Sequence, residues 1–460
     1  GVTSVVYHQA KAILDAGDDV LIITGEGSPE DPRIPYTQVE ALAYDASLGK
    51  IDPREREKPS RNLADALCAA MEARWGQPAD ILHVHNPMIQ KNSLLIPALN
   101  ILNQRGIRLL LQNHDLAEDF RPDVYVDQDD YPENCHYAVI NSRDYSYLHR
   151  AGLKTEGLHF LPNEVSPIPA VPGLPRTRYL YPVRAIRRKN IGEALLLSLF
   201  IPPGRTIAIT LPPVSSRDQE IYRHWVDLAR ELKLPMEFEI GVHNSIAEAL
   251  GSALCVITTS VKEGFGFSYL EPWTADRAVI GRRIDYVCRD FEEAGLRFNS
   301  LYNSLNFPAA YISPSVFRKK MEKTITVIYR SFGLDIPRYL LKNMFDEIFS
   351  RQTLDFGCFD EESQEYLIRT LASNDAVRRD IIEANPFLAD LAVWQPDEDL
   401  IEKNRDRIEK MYGRERIGDL LRTVYRSIPD NPVVHKLSKS VLLELYLAPL
   451  KFSLVGLGNG

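Results

Sequence analysis

We predict the fold from one stretch of the chain, Leu254-Cys-Val-Ile-Thr-Thr-Ser-Val-Lys-Glu263-Gly-Phe-Gly-Phe-Ser-Tyr-Leu-Glu271. Its first six residues, Leu254–Thr259, form a short apolar run, which is typical of a strand buried on both faces of a parallel sheet. A turn with two glycines follows, and Pro272, next in the chain, fits only near the start of a helix. This order predicts the edge of a parallel α/β sheet at which ligands bind.

Similar apolar runs recur on both sides of the quoted stretch. In the first half of the chain the predicted strands are Asp19–Thr24, Ile81–His85, Arg108–Asn113, Tyr137–Asn141 and Leu158–Pro162. In the second half they are Arg178–Ile186, Thr206–Leu211, Glu237–Gly241, Leu254–Thr259 and Ala278–Gly281. Helix-length segments separate them, such as Val5–Ala16, Asn62–Trp75 and Leu94–Gln104. Two such series predict an α/β protein with two doubly wound, Rossmann-like domains.

A proline-rich segment, Asn163–Arg178, separates the two series and predicts a stiff hinge. We therefore expect an N-terminal domain over residues 1–165 and a second domain over residues 166–411. Beyond about residue 282 the apolar spacing becomes helical, which predicts a helical insertion at about 300–350 and a helical extension over 412–460. Because a doubly wound domain opens with a strand before its first glycine turn, we also expect a strand ahead of Gly1.

The charge of the chain argues against two classes of partner. Lys and Arg number 54 against 63 Asp and Glu, a net charge of −9, whereas nucleic-acid binding as the main function usually needs a basic face. Residues 1–165 alone carry 15 Lys and Arg against 25 Asp and Glu. Because anionic lipid would repel this acidic half, we expect no membrane contact there.

The cysteines and the apolar tail bear on the location of the protein. No Cys-x-x-Cys pair occurs among Cys68, Cys135, Cys255, Cys288 and Cys358, so we expect neither a zinc ribbon nor a disulfide framework, and a cytoplasmic location. The tail Val441–Gly458 leaves two alternatives, a packed amphipathic helix or interfacial membrane contact. The extra helices also leave a homodimer open.

Glu263 and Glu271 are the first candidates for binding chemistry. The loop places Glu263 after a strand, and Glu271 enters the first turn of the following helix. Two carboxylates so placed can each accept hydrogen bonds from a pair of sugar hydroxyls, and the free N–H groups at the helix start favour an anion. Gly264 and Gly266 would let the backbone approach a ligand closely. The alternative is structural, because Ser268-x-x-Glu271 also fits a capping box.

A run of cations, Arg184-Ala-Ile-Arg-Arg-Lys-Asn190, ends another predicted strand and enters a helix. Cations beside a helix N-terminus suit a diphosphate. A charge run is more often a solvated face, and we interpret Arg187 and Arg188 in that way. Arg184 and Lys189 are the better candidates for the diphosphate.

Polar residues also follow strands in the first half of the chain. His114, in Asn113-His114-Asp115, and His85 each lie at the end of a predicted strand, from which a side chain can reach a ligand. The alternative for each is a histidine bonded to local backbone. Asp127-Gln-Asp-Asp130 contains an Asp-x-Asp pair, a weak indication of a divalent metal, and we expect no metal site.

Taken together, these segments resemble a retaining glycosyltransferase of the GT-B fold, and most closely family 4. The Glu-x7-Glu signature of that family matches Glu263 to Glu271, with its Gly-Phe-Gly at Gly264, Phe265 and Gly266, followed by Phe267. Its Arg and Lys match Arg184 and Lys189, its histidine matches His114, and its glycine turn near the phosphates matches Gly1. Residues from Tyr412 to Tyr425 resemble its closing helix.

The resemblance implies two domains that face a cleft holding a nucleotide-diphosphate sugar, such as a UDP- or GDP-sugar. Glu271 would accept from the ribose, Glu263 and the amides of Gly264–Phe267 would hold the sugar, and Arg184 and Lys189 would neutralise the diphosphate. No metal or other cofactor would be required. His114 would position the sugar, and His85 and Asn113 would contact the sugar or the acceptor. The N-terminal domain would lie on the acceptor side, with residues 412–460 packed back on it.

The acidic N-terminal half favours a soluble acceptor, such as a small hydroxy acid, a polyol or another sugar. Three alternatives to a hexosyl transferase stay open: a glycosyl phosphorylase, a nucleotide-sugar epimerase, and a non-catalytic sugar-binding subunit.

Overall fold

The computed structural model describes residues 2–49, 51–128 and 130–455, and its chain divides into two compact units. The first unit comprises the chain up to Glu164 together with Glu409–Leu447. The second comprises Val165–Ile408 and the chain from Ala448 onward. The functional roles that we assigned to 1–165, 166–411 and 412–460 stay predictions.

The strands are short and distributed over the whole chain. In chain order, β1 to β14 are Ile22–Thr24, Tyr36–Gln38, Leu82–His85, Leu109–Asn113, His136–Val139, Leu158–Phe160, Arg178–Arg184, Thr206–Leu211, Met236–Glu237, Ala253–Thr258, Val279–Arg282, Leu301–Tyr302, Asn306–Pro308 and Thr353–Asp355.

The helices connect the strands and dominate the C-terminal third. In chain order, α1 to α19 are Val2–Asp15, Asp45–Leu48, Glu57–Trp75, Leu95–Gln104, Ser142–Arg150, Ile191–Ser198, Ser216–Glu231, Ile240–His243, Ile246–Gly251, Glu271–Thr274, Asp285–Glu293, Pro314–Ser331, Arg338–Ser350, Glu361–Ser373, Asp375–Ala384, Phe387–Val393, Glu398–Tyr412, Arg414–Asp430 and Lys439–Tyr446. Among the helices described, none combines the length and the apolar character needed to cross a bilayer.

The first unit is built around a parallel sheet of order β3-β4-β5-β6. Every residue of β4 is buried, as expected for a strand covered on both faces. Strands β1 and β2 form a separate parallel pair. A cavity of about 780 Å³ is lined by β1, by β3 and by the inner face of α1. The strand that we expected ahead of Gly1 concerns residues outside the chain and stays a prediction.

The second unit contains a parallel sheet of order β12-β11-β10-β7-β8-β9. Its central strands β7 and β10 are neighbours, and Leu180 pairs with Val256 in the buried core. Pro182 lies in β7, where the register with β8 shifts between Tyr181 and Arg184. A proline cannot donate to the ladder, so an irregularity is expected here, directly before the cationic segment.

Most predicted elements form, with boundaries displaced by a few residues, but the strand over Glu237–Gly241 was wrong. It ends at Glu237, because Glu239 adopts a left-handed conformation (φ 62°) and α8 begins at Ile240. The insertion also contains strands: β12 joins the large sheet, and β13 and β14 form an antiparallel pair.

The C-terminal extension is shared between the units. Helix α19 packs into the first unit, where Leu442 is buried and the Tyr446 hydroxyl donates to Asp144 (2.7 Å). This favours the packed helix over membrane contact for that part of the tail. From Ala448 the chain joins the second unit instead of packing on the N-terminal domain, and Phe452 stacks on Tyr329. Residues 456–460 lie outside the described residues.

Candidate functional site

The cationic segment forms a compact turn at the end of β7. A 3-10 helix over Arg187–Lys189 is followed by Asn190, whose backbone is left-handed (φ 52°, ψ 56°), and then by α6. The Tyr181 hydroxyl and the Thr259 hydroxyl both donate to the carbonyl of Lys189, at 2.8 and 3.0 Å. The ends of the neighbouring strands β7 and β10 therefore fix the backbone that carries Lys189.

Glu263 lies against this turn and pairs with two of its cations. Lys189 Nζ contacts Glu263 Oε1, and Arg188 Nη1 lies 3.4 Å from Glu263 Oε2. The side chains of Glu263 and Lys189 are 10% and 13% exposed. Although burial opposes ionisation, Lys189 and Arg188 hold the pKa of the Glu263 carboxyl below its ordinary value. The structure thus brings together the predicted Lys189 and Glu263 as a buried, charged group at the carboxyl ends of two parallel strands.

The turn after Glu263 requires glycine at one of its two glycine positions. Gly266 is left-handed (φ 95°), and a Cβ there would overlap the Val287 side chain, so only glycine fits. Phe265 is buried, and its ring packs edge-on against Phe267 at 5.0 Å between centroids. Gly264 lies between Glu263 and these rings in the chain. The turn is rigid because aromatic packing and the left-handed residue both constrain it.

Glu271 is the first residue of α10, and the structure does not form the capping box that was its alternative interpretation. The helix begins after Leu270 without a side-chain cap, and the Ser268 hydroxyl is buried without a hydrogen-bond partner among the described residues. None of the described side chains bonds the half-buried Glu271 carboxylate, and burial raises its pKa above the ordinary value. A carboxylate held in this way can accept hydrogen bonds from an incoming ligand.

The remaining arginines of the segment depart from expectation. Arg184 is exposed and donates to the carbonyl of Pro212 (2.9 Å), so the structure does not bring it to the Lys189–Glu263 pair. The solvated-face interpretation was wrong for Arg187 and incomplete for Arg188, whose side chain is 39% exposed but also lies beside Glu263. Arg187 pairs with Glu361 and is 19% exposed, and Arg188 donates to the Lys262 carbonyl (2.9 Å) besides contacting Glu263.

In the first unit, Asn86 organises the loops after β3 and β4. Its backbone is left-handed (φ 58°), and its Oδ1 accepts from the backbone N–H groups of His114 (3.1 Å) and Asp115 (2.9 Å). Asn113 accepts from the N–H of Met88 (3.2 Å) and is fully buried. The predicted Asn113 therefore supports the backbone of these loops in the structure.

The predicted His85 and His114 lie side by side in a stack of imidazoles. His85 Nδ1 is 3.3 Å from His114 Nε2, and the His83 and His85 rings stack at 4.3 Å between centroids. His83 Nδ1 contacts the Tyr425 hydroxyl at 2.8 Å. Burial lowers the pKa of His114 to about 4 and that of His83 to about 3, so both are neutral near pH 7.

Some predicted residues cannot be placed, and some residues of the site were missed. Gly1 lies outside the described residues, as does Asp129 of the Asp-x-Asp pair. Within the described ranges, no group of three or more His, Cys, Asp or Glu side chains could hold a metal ion.

The sequence did not predict three residues of the site, Asn86, Glu361 and Tyr286. The hydroxyl of Tyr286 contacts the backbone of Glu263. Their segments carry no motif that would have identified them.

One comparison by sequence finds a synthase. The chain is 24% identical over 342 residues to the mannosylglucosyl-3-phosphoglycerate synthase of Petrotoga mobilis. The match covers 67% of this chain and 66% of that relative, just under two thirds of its length. No protein-family model matches the chain.

Comparison with solved structures establishes the fold. Sucrose-phosphate synthase of Thermosynechococcus elongatus is similar with a TM-score of 0.53, at 17% identity over 94% of each chain. HepE of Anabaena, in complex with UDP and glucose, is similar with a TM-score of 0.53, at 12% identity over 93% of this chain and 96% of that one. These are GT-B glycosyltransferases, so the predicted α/β fold of GT-B type is confirmed.

Proposed function

We propose that the protein is a retaining glycosyltransferase of the family 4 type that moves a hexose from a UDP- or GDP-sugar to a small soluble acceptor. The observation that carries the proposal is the buried pair of Lys189 and Glu263, with the half-exposed Arg188 beside it, at the ends of the neighbouring strands β7 and β10. The complex of the similar HepE fold with UDP and glucose supports a nucleotide-sugar donor.

Each predicted site residue of the second unit has a proposed role in binding the donor. Glu271 accepts from the ribose hydroxyls, since its carboxylate has no partner among the described residues. Glu263 and the amides of Gly264, Phe265, Gly266 and Phe267 hold the hydroxyls of the transferred sugar. Lys189 and Arg184 neutralise the diphosphate as negative charge develops on it, and this stabilisation counts most in the transition state.

The proposed reaction needs no nucleophile from the protein. The bond between the anomeric carbon and the diphosphate oxygen breaks, and a bond to the acceptor oxygen forms on the same face of the sugar. The proton of the acceptor hydroxyl passes to an oxygen of the departing diphosphate. Positive side chains, with Lys189 nearest to Glu263, supply the charge that a metal would otherwise supply, so we propose that transfer is metal-independent.

In the first unit we assign His114 and His85 to binding of the sugar or acceptor. Their low pKa keeps both imidazoles neutral, so they can donate and accept hydrogen bonds without attracting an anion by charge. Asn113 supports them through the loop backbone. Gly1, by its position in the resemblance, would lie near the phosphates.

The name of the similar synthase supports a proposal for the acceptor class. A mannosylglucosyl-3-phosphoglycerate synthase is named for a product that joins two sugars to a small phosphorylated hydroxy acid. We propose an acceptor of the same chemistry, either a phosphorylated hydroxy acid or its glucoside. Such an acceptor is soluble, in agreement with the soluble acceptor that the acidic N-terminal half favours.

A thermal-shift panel of UDP-, GDP- and ADP-sugars, each with and without EDTA, tests the donor proposal. A ligand at 100 times its Kd adds about 2.7 kcal/mol of stability, which moves the midpoint by a few degrees. We expect one base to give a shift that survives EDTA, and the Glu271→Ala variant to lose most of it. The free sugars serve as controls. The absence of any shift with all donors would contradict the proposed function.

Turnover is measured as nucleotide release with the donor that binds. We expect release that depends on 3-phosphoglycerate or glucosyl-3-phosphoglycerate, and none with the glycerol control. Consumption of sugar 1-phosphate without nucleotide release would favour a phosphorylase instead.

A further inference from the structure

The turn that carries Lys189 is contacted by a helix far away in the sequence. Helix α14 begins at Glu361, which pairs with Arg187, and one turn later Gln364 reaches Asn190. These two contacts flank Lys189 in the chain, one on each side. Helix α14 therefore touches the cationic turn at both ends, although it follows Lys189 by more than 170 residues.

Asn190 is the residue on which the shape of the turn depends. Its left-handed backbone (φ 52°) is costly for residues with a Cβ, and asparagine is among the few that adopt it. Both ends of its side-chain amide are hydrogen-bonded: Oδ1 accepts from Gln364 Nε2 (2.8 Å), and Nδ2 donates to Glu193 Oε2 (2.7 Å). The side-chain amide of Asn190, the residue after Lys189, therefore connects Gln364 of α14 to Glu193 of α6.

Two hydrogen bonds from its amide nitrogen hold the buried Gln364, whereas its amide oxygen has no partner among the described residues. The residue is 1% exposed, and its Nε2 also donates to the carbonyl of Phe356 (3.2 Å). A Cβ on Gly192 would overlap the Gln364 amide, so α14 and α6 are in close contact there. Because its amide has little room to move, Gln364 can fix the position of Asn190.

The other partner of Asn190 is equally constrained. Glu193 accepts two hydrogen bonds from Arg282, at 2.8 and 2.6 Å, and one from the Tyr302 hydroxyl at 2.6 Å. Arg282 also binds Asp355 of β14 through two hydrogen bonds of 2.7 and 2.8 Å. The residues beyond β12 are thus tied to the cationic turn by two routes, through Gln364 and through Asp355.

We infer that Gln364 is a positioning residue that, through Asn190, holds Lys189 where it stabilises the departing diphosphate. The inference rests on the proposed function, because it concerns the turnover that Lys189 supports. It gives the helical region after β12 a role beyond packing: helix α14 (Glu361–Ser373) sets the geometry of the charged group without touching a substrate.

The test compares turnover in Gln364→Met with that in Ile368→Val. Methionine keeps the volume of Gln364 and removes the donor, and Ile368 is a fully buried residue on the same helix that is trimmed by one methyl group. We expect Gln364→Met to lower kcat about tenfold with the donor KM changed less than about twofold, as for an interaction made only in the transition state. Ile368→Val should lower the thermal midpoint but leave kcat unchanged.

A double-mutant cycle separates positioning from a general loss of structure. In the Lys189→Ala background, Gln364→Met should cost no further turnover, because the group that it positions is gone. If Gln364→Met does not fold, Asn190→Gly provides the same test, since glycine keeps the left-handed turn and removes the acceptor of Gln364.

Additive losses in the double mutant, or an equal loss of kcat in Ile368→Val, would overturn this inference alone, with wild-type turnover intact. A wild-type protein that turns over no nucleotide sugar would overturn the proposed function and this inference with it.

Discussion

The loops after β3 and β4 and the loops after β7 and β10 each follow the carboxyl ends of two neighbouring parallel strands, but they differ in their electrostatics. In the first unit the side chains are stacked imidazoles, neutral because burial lowers the pKa of His114 to about 4. In the second unit the side chains of Lys189 and Glu263 are also largely buried, but they form an ion pair. The loops of the first unit therefore present neutral hydrogen-bonding groups, and the loops of the second unit present charged groups.

The contrast follows from what each buried group finds nearby. Burial penalises the protonated form of an imidazole, and for His114 this penalty outweighs the attraction of Asp115 for a positive charge. A desolvated carboxylate keeps its charge when two cations contact it, as Lys189 and Arg188 contact Glu263. Loss of a charge in the second unit should therefore impair catalysis, whereas changes to the buried loops of the first unit should also alter stability and its pH dependence.

The largest effect is expected from Lys189→Ala. Removing the cation from the group that contacts Glu263 should lower kcat by about 10²-fold or more, if it stabilises the departing diphosphate. Steady-state nucleotide release measures the change, with Lys233→Ala, an exposed lysine of the same unit, as the matched control. Arg184→Ala should show a comparable loss if its exposed guanidinium turns to the bound donor. Unchanged turnover in both variants would rule out their assignment to the diphosphate.

Glu271→Gln should have the next largest effect, on donor binding. A hydrogen bond to a charged group contributes about 1.5–3 kcal/mol, so Kd for the donor should rise by about 10- to 100-fold. Because no capping box forms, the thermal midpoint without ligand should stay within about a degree of wild type. The opposite pattern, a loss of about 1 kcal/mol in stability with donor affinity intact, would restore the capping interpretation.

Asn86→Gly probes the neutral loops through stability. Glycine retains the left-handed backbone but removes the acceptor of two N–H groups, which should cost about 1–3 kcal/mol of unfolding free energy. Lys233→Gly is the matched control, since Lys233 is also left-handed (φ 53°) but exposed, and it should be neutral or slightly stabilising. Equal stability changes in the two variants would mean that Asn86 does not organise the loops.

The smallest effect near neutral pH is a pH dependence of stability due to His114. Its pKa is lowered in the folded protein, so the unfolded chain binds the extra proton first as the pH falls from about 6.5 toward 4. The unfolding free energy should fall over that window, by up to about 1.4 kcal/mol per pH unit for one histidine. Urea titrations at several pH values should show a shallower dependence of the unfolding free energy on pH for His114→Gln than for the wild type. An unchanged slope in His114→Gln would contradict the neutral imidazole.

The sequence was sufficient for the parallel strands and for Lys189 and Glu263, because buried strands and strand-end motifs leave local patterns. It could not tell which of several consecutive cations faces Glu263. The cation that faces Glu263 is determined by the 3-10 turn over Arg187–Lys189 and by the left-handed Asn190. In the structure Arg188 lies beside Glu263, whereas Arg184 donates to the carbonyl of Pro212. The contacts of Gln364 and Glu361 depend on folding across more than 170 residues, which no local pattern records.

The anomeric configuration of the first-formed product tests the central claim most directly. Proton NMR follows transfer in EDTA from an α-linked nucleotide sugar that binds in the thermal-shift panel, to an acceptor that supports nucleotide release. The account predicts an α-linked product from the wild type and about 10²-fold less of it per unit time from Lys189→Ala. A β-linked first product, or α-linked product formed equally fast by Lys189→Ala, would contradict it.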